Sequence, residues 1–581
     1  MLKDSLSFEN FRHRLAHAEA LPQLVLLGII SGLASGLLIL AFRLMIDLPL
    51  ETWLPGGGNE NFESLPLWAR GILPVFGVLL LLILFHSLLP ATRKVGVLHV
   101  LERLSYHQGH LPAKNMWVQF FGAGIAILSG QSVGREGPAV HLGAACGSQI
   151  GQALHLPNNS LRLLVGCGVA AAISASFNTP LAGVIFAMEV ILLEYTVIGF
   201  TPVLVASATA ALLIKLTYGN EAAFSIPPIQ IQSLTELPFV ILLGLFIALL
   251  AGGFIRIMVQ TQRSVSWSMP SRFLLAGILT GGVALFYPQV MGVGYDTVSA
   301  ALEGEMGLTL LIGLLLAKWL LTPLVLGLGI PGGLIGPTFY IGAVAGAGFG
   351  IVIAVLTGES HSGVGFYAML GMGAMMGAVL NAPLAALIAL LELTSNPNII
   401  FPGMLAIVVA STTVRFCFKQ PSIFLALLKV QGLDYRQEPL SQALSRQGVA
   451  SIMHTRCIAL DFTSSYATIQ QALAKQPDWI ILSQTPAQPK YILLPADLEF
   501  YLSQAENIPA PDAADPVIAL TEIPALRKDI APLSINATLK EALDSMNHNR
   551  LDALYIIKRN QAVAGIITRA QVEHFYTQKS N

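Results

Sequence analysis

The run Gly134-Arg135-Glu136-Gly137-Pro138 sets a guanidinium and a carboxylate side by side in a stretch whose neighbours on both sides are apolar or small. A Gly-x-x-Gly-Pro turn suits the opening of a helix, because proline at a first-turn position loses an N–H that has no intrahelical partner anyway. The free N–H groups of such a start, together with the positive end of the helix dipole, attract an anion, and the glycines let it approach the backbone closely. A second turn of the same kind, Gly333-Leu334-Ile335-Gly336-Pro337, lies about 200 residues on and so calls for a symmetric partner element. Glu136 then has a definite chemistry. Its carboxylate would occupy the place prepared for an anion, and protonation would release it. A carboxylate in apolar surroundings is costly and by default functional; the alternative is a structural pair with Arg135 or with the helix start. The partner turn carries Ile335 at this position, so the turn itself does not require a carboxylate.

The elements that must hold these turns are membrane helices. Of the 581 residues 54% are apolar and 11% charged, mean hydropathy is +0.68, and the chain is too long for one compact domain. Charge is sparse between Trp117 and Ala426 and dense from Gln431 onward, which predicts a polytopic membrane region followed by a soluble tail. A net charge of -1 gives no basic face for nucleic acid and no polybasic lipid patch. Residues 1–20 lack the pattern of a signal peptide and are expected to remain as a cytosolic helix. Cys146, Cys167, Cys417 and Cys457 show no paired or metal-like spacing and read as free and structural.

Leu21 to Met45 and Gly71 to Leu89 are long enough to cross a bilayer. Ala139 to Leu154, Leu161 to Ala175 and Leu181 to Leu193 are short, rich in glycine and alanine, and interrupted by polar or proline turns. Irregular backbone at membrane depth must be buried in protein or line a cavity, so these broken pieces point to a site. Internal symmetry supports that. "GREGPAVHLGAACG" pairs Gly134, Gly137, Pro138, Gly143 and Gly147 with Gly333, Gly336, Pro337, Gly342 and Gly346 of "GLIGPTFYIGAVAG". "FNTPLAGVIFAME" pairs Asn178, Pro180 and Glu189 with Asn381, Pro383 and Glu392 of "LNAPLAALIALLE". Two repeats, roughly 21–216 and 237–426, account for both windows.

On "GREGP", "GIPGGLIGP" at Gly329 to Pro337 and "FNTPLAGVIFAMEV", the chain resembles the CLC family of chloride channels and proton-coupled chloride antiporters over residues 20 to 430. The resemblance implies an all-α polytopic membrane domain of two inverted repeats of broken, tilted helices, here 21–430. It further implies a homodimer with one pore per subunit, a gating and protonatable Glu136, and anion contacts at Gly134, Arg135, Gly137, Leu334, Ile335 and Gly336. Integral membrane placement, in the inner membrane if the source is prokaryotic, and cytosolic termini follow from the same resemblance. Chloride and other small anions, protons, a second copy and membrane lipid are the implied partners.

Three departures stand out. Val95 in "RKVGVLHVLE" replaces the serine of the family's first anion motif and leaves Gly96 of that motif, and Phe424, with Ile423 as neighbouring alternative, replaces its pore tyrosine. Two hydroxyl ligands are therefore missing, a loss shared with fluoride-exporting relatives. Val190 stands where proton-coupled members often carry an internal glutamate, which favours a channel-like or weakly coupled protein over an antiporter with another proton path. Glu189 and Glu194 are candidates for that path, with a structural cap or pair favoured for Glu189 because Glu392 is its repeat partner. His141 and Tyr340 read as packed, hydrogen-bonded residues, with the vestibule as alternative.

Beyond Val449 the tail alternates strand-like and helix-like pieces twice, at 449–503 and 517–577 with a linker over 504–516, and each half resembles a CBS domain, making an α/β pair. "GIITRAQ" has Gln571 where that module's ribose-holding aspartate belongs; the first half keeps Asp497 but has Leu494 in place of Thr or Ser. Packing between copies is favoured over adenine-nucleotide sensing, and no cofactor is expected. An intramembrane enzyme is disfavoured by the lack of HExxH, Gly-x-Ser-x-Gly or a His/Asp cluster in the broken helices. A divalent-cation channel is disfavoured because helix N-termini repel cations.

Overall fold

The structure is a computed structural model that describes residues 15, 16, 20–55, 60–219, 224, 233–358, 362–433, 439–484, 489–504 and 515–579. Most of the N-terminal helix expected over 1–20 and most of the linker expected over 504–516 lie outside the described residues. Two compact units form: Leu24–Ala153 with Leu161–Tyr435, and Met1–Gln23 with Leu154–Ser160 and Arg436–Asn581.

The first unit is helical. Its first half runs through α1 (Leu21–Trp53), α2 (Leu67–His86), α3 (Gly96–Tyr106), α4 (Ala113–Leu128), α5 (Glu136–Ala153), α6 (Asn158–Phe177), α7 (Pro180–Phe186) with a π turn over Ala187–Leu192, and α8 (Val197–Tyr218). The second runs through α9 (Leu237–Ser264), α10 (Met269–Ala284), α11 (Tyr295–Glu303), α12 (Leu308–Gly327), α13 (Ile335–Thr357), α14 (Val364–Leu380), α15 (Pro383–Thr394), α16 (Ile400–Phe416) and α17 (Ile423–Val430). Among the described residues, eight helices are long and apolar enough to cross a membrane. One expectation is corrected: the short Leu161 to Ala175 segment is part of the 20-residue α6, long enough to span. Hydropathy stops at the polar Asn158-Asn159-Ser160, but the helical hydrogen-bond ladder does not, and its first turn is built from those residues.

The repeat glycines are where helices touch backbone to backbone. A methyl group on Gly143 or Gly147 of α5 would collide with the carbonyl oxygens of Gly168 or Leu164 on α6, and on Gly342 or Gly346 of α13 with those of Gly371 or Tyr367 on α14. Close approach without a side chain is what small residues permit between membrane helices. Asn178 and Asn381 have φ of 59° and 53°, the left-handed conformation that asparagine tolerates and that ends a helix. Pro180 and Pro383 then open α7 and α15.

The second unit is α/β. Its six-stranded sheet has the order β1-β3-β4-β6-β7-β8, with β2 and β5 pairing separately. The strands are β1 (Cys457–Asp461), β2 (Thr463–Ser465), β3 (Trp479–Ser483), β4 (Pro489–Leu493), β5 (Val517–Ala519), β6 (Lys528–Ser534), β7 (Ala553–Ile557) and β8 (Val563–Thr568). The helices are α18 (Pro439–Ser445), α19 (Tyr466–Ala474), α20 (Pro495–Ser503), α21 (Leu539–Asn549) and α22 (Arg569–Lys579). Each half repeats one plan: a strand parallel to the next (β1 with β3, β6 with β7), then an antiparallel hairpin (β3 with β4, β7 with β8), then a closing helix. The halves join through β4 and β6, antiparallel. This is the α/β organisation expected of the tail.

Candidate functional site: a paired helix-start anion site

The two Gly-x-x-Gly-Pro turns meet. Gly134 N–H donates to Gly333 O and Gly333 N–H to Gly134 O, both at 2.7 Å, an isolated antiparallel bridge between the repeats. Glycine is required here, because a Cβ on Gly137 would stand 2.6 Å from Gly333 Cα. α5 begins at Glu136 and α13 at Ile335, directly after these turns.

Glu136 is fully buried. Its Oε2 accepts from the Gly336 N–H at 3.0 Å, and its Oε1 accepts from the Tyr295 hydroxyl. The carboxylate of one repeat thus lies on the helix start of the other, where free N–H groups and the dipole favour negative charge. Arg135 does not pair with it; its Nη1 lies 3.6 Å from Asp47 Oδ1, and its guanidinium carbon lies 5.1 Å from the Tyr295 ring centroid. Tyr295 is in turn fixed by its own helix start: Glu60 Oε2 accepts from the backbone N–H groups of Gly294 and Tyr295 at the N-terminus of α11.

Beside this bridge lies a cavity of about 250 Å³ whose walls include Val95, Gly96, Gly137, Leu334, Ile335 and Phe424. Six of the candidate residues are therefore gathered around one space. Gly134, Arg135, Glu136 and Gly336 belong to the bridged turns next to it. Gly96 opens α3 with φ of 82°, and Val95 precedes it with no side-chain cap.

Glu189 and Glu392 cross over. Glu189 accepts from Leu384 N–H at 3.3 Å and Ala385 N–H at 2.7 Å, at the start of α15. Glu392 accepts from Leu181 N–H at 3.0 Å and Ala182 N–H at 2.7 Å, at the start of α7. Each carboxylate satisfies orphan donors of the other repeat's helix. Glu194 follows the π turn, its N–H donating to Met188 O at 3.1 Å, and Val190 within the turn is buried. His141 is fully buried with Nε2 3.0 Å from His99 Nδ1, and His99 Nε2 accepts from Arg103 Nε at 3.2 Å. Tyr340 is buried beneath Lys318, whose Nζ lies 4.8 Å from its ring centroid and donates to the carbonyls of Val290 and Gly292.

Tyr295, Asp47 and Glu60 carry no sequence signal of their role. The Gly-x-Gly before Tyr295 marks a helix start, but nothing local tells which carboxylates reach it. In the tail, Gln571 Oε1 accepts from Thr568 N–H at 2.9 Å and its Nε2 donates to Ile452 O at 2.9 Å, so its amide is already engaged. The four cysteines are free. Burial and then the Asp478 carboxylate push the Cys457 thiol up to about 11, which leaves it protonated at neutral pH.

Two bridged helix starts with a buried carboxylate on them define an anion-handling membrane protein. Residues 76–415 match the family described as voltage gated chloride channel, and the chain belongs to that family. It is 32% identical over 405 residues to a putative chloride channel protein, ClcB-like, of Ralstonia nicotianae, covering 68% of this chain and 93% of the relative. It is 28% identical over 391 residues to the H(+)/Cl(-) exchange transporter ClcA of Vibrio cholerae, covering 65% and 83%. A slow cyanobacterial chloride/proton antiporter has the same fold, with a TM-score of 0.63 at 21% identity over 70% of this chain and 97% of that one. The protein is an integral membrane anion transporter of the CLC family, with a soluble α/β region.

Proposed function

We propose that this protein passes chloride through a pore closed by Glu136, in a channel-like or weakly proton-coupled mode. The observation that carries this reading is the Glu136 carboxylate seated on the Gly336 N–H at the start of α13, a negative group in a place that suits a halide. Protonation removes the charge that holds it there, so the seat becomes free for chloride. Channel-like passage is supported by Val190, which is buried within the π turn, and by Glu189, whose two oxygens are occupied capping α15.

Proton-coupled exchange is the second reading, favoured by the relative named as an H(+)/Cl(-) exchange transporter. Reconstitution into liposomes with chloride and pH electrodes separates them. The proposal expects chloride to move with little or no proton movement in the opposite direction, and uphill proton transport in fixed ratio to chloride would overturn it. Repeating the flux with fluoride tests the selectivity that the loss of hydroxyls at Val95 and Phe424 leaves open. A homodimer, cytosolic termini, contact between copies through a CBS-like tail, and an absence of nucleotide binding there belong to the same proposal.

A further inference from the structure

We propose that the side-chain amide of Gln119 is a direct ligand for the permeating anion, supplying the donor that Val95 and Phe424 lack. Gln119 sits on α4, lines the same cavity as Val95, Gly96, Gly137 and Phe424, and is fully buried. Neither its Oε1 nor its Nε2 has a hydrogen-bond partner among the described residues. Two other buried amides of this unit, Asn115 and Gln131, have partners, whereas among the described residues Gln119 lacks one at both ends of its amide. Asn115, one turn earlier on α4, donates to the carbonyls of Ala91, Thr92 and Lys94 at 2.9, 3.2 and 2.9 Å. Gln131 donates to Pro74 O at 2.9 Å and accepts from Thr280 at 2.9 Å. A buried amide without partners is expensive, and one at the wall of a cavity finds its partner in what the cavity holds.

The chemistry of that partner follows from its surroundings. The amide end of Gln119 faces the start of α3: a Cβ built on Gly96 would lie 4.0 Å from Oε1, with no other atom nearer. The helix start at Val95-Gly96 has no side-chain cap, and the start of α13 borders the same cavity. Both present N–H groups and positive dipole ends, which select a small anion over a cation. The amide's oxygen and nitrogen exchange places by a half-turn about the last torsion, so an anion there meets the NH₂ group. An amide donor thus takes over the role that a hydroxyl at position 95 or 424 would fill.

This inference rests on the reading of the cavity as the anion path, and calorimetric titration of chloride into the full chain in detergent tests the two separately. Wild type is expected to bind chloride. Gln119→Leu, which keeps bulk and removes the amide, is expected to weaken binding roughly ten- to a hundredfold, the size of one hydrogen bond to a charged group. Gln119→Lys should bind at least as tightly as wild type and Gln119→Glu not measurably. Chloride binding by wild type that is unchanged in Gln119→Leu would overturn the Gln119 assignment alone, and no binding by wild type would overturn the pore reading with it. Should Gln119→Leu fail to fold, equal affinity in the Lys and Glu variants would also overturn it.

Discussion

The turns at Gly134–Pro138 and Gly333–Pro337 have the same backbone task and different side chains. Both are bridged to each other through glycine, both open a helix, and both place proline in its first turn. One carries Glu136 and the other Ile335, each buried. Since the Ile335 turn forms without a carboxylate, the proposed anion site would be a property of the backbone, with Glu136 as an addition seated on it. On the proposed reading, the backbone of the two turns builds the site and Glu136 regulates it.

The repeat-related glycines Gly137 and Gly336 offer the sharpest way to break this distinction. Alanine at 137 would place its methyl 2.6 Å from Gly333 Cα, a backbone atom that cannot move without breaking the bridge. Alanine at 336 meets Val293 Cγ1 at 2.9 Å and the Glu136 carboxylate oxygens at 3.0 and 3.1 Å, which are side chains that can shift. Gly137→Ala is therefore expected to abolish recovery of folded protein, judged by monodispersity and thermal unfolding in detergent. Gly336→Ala should fold, and should transport chloride with weaker dependence on pH because its carboxylate is displaced. Equal behaviour of the two variants would mean the turns are not divided into scaffold and gate.

Tyr295 sharpens the gate side. Tyr295→Phe removes the hydroxyl that donates to Glu136 and leaves the Gly336 contact. A hydrogen bond to a charged group contributes about 1.5–3 kcal/mol, so chloride efflux at neutral pH should rise by roughly ten- to a hundredfold. An unchanged rate would show that Tyr295 does not hold the carboxylate.

The caps at Glu189 and Glu392 test symmetry itself. Each accepts two N–H groups from the other repeat's helix, so Glu189→Gln and Glu392→Gln should lower stability alike, by about 1–2 kcal/mol, read as similar drops in thermal midpoint. If Glu189→Gln also changed proton flux while Glu392→Gln did not, Glu189 would be a relay and not only a cap.

Much of this architecture is legible in the sequence because its requirements are specific to residue type. Close backbone contact admits only glycine, a left-handed helix end favours asparagine, and a first-turn position suits proline, so residue identity and order alone match Gly143, Asn178 and Pro180 to Gly342, Asn381 and Pro383. Carboxylates paired across repeats point to Glu189 and Glu392 for the same reason. Tyr295, Asp47, Glu60 and Gln119 are not legible. Their residue types are common, their partners are distant along the chain, and only the fold reveals that Tyr295 reaches Glu136 or that Gln119 faces a cavity without a partner. The length of α6 escapes the sequence pattern because hydropathy tracks the solvent and not the hydrogen-bond ladder.

The central claim is that Glu136 closes an anion site that the two helix starts already form. Chloride efflux from liposomes, measured across pH for wild type and Glu136→Gln in parallel, tests it directly. If protonation of Glu136 frees the seat, wild-type efflux should accelerate as pH falls, while Glu136→Gln, which carries no charge at any pH, should be fast and flat throughout. The same pH slope in both proteins would contradict the account.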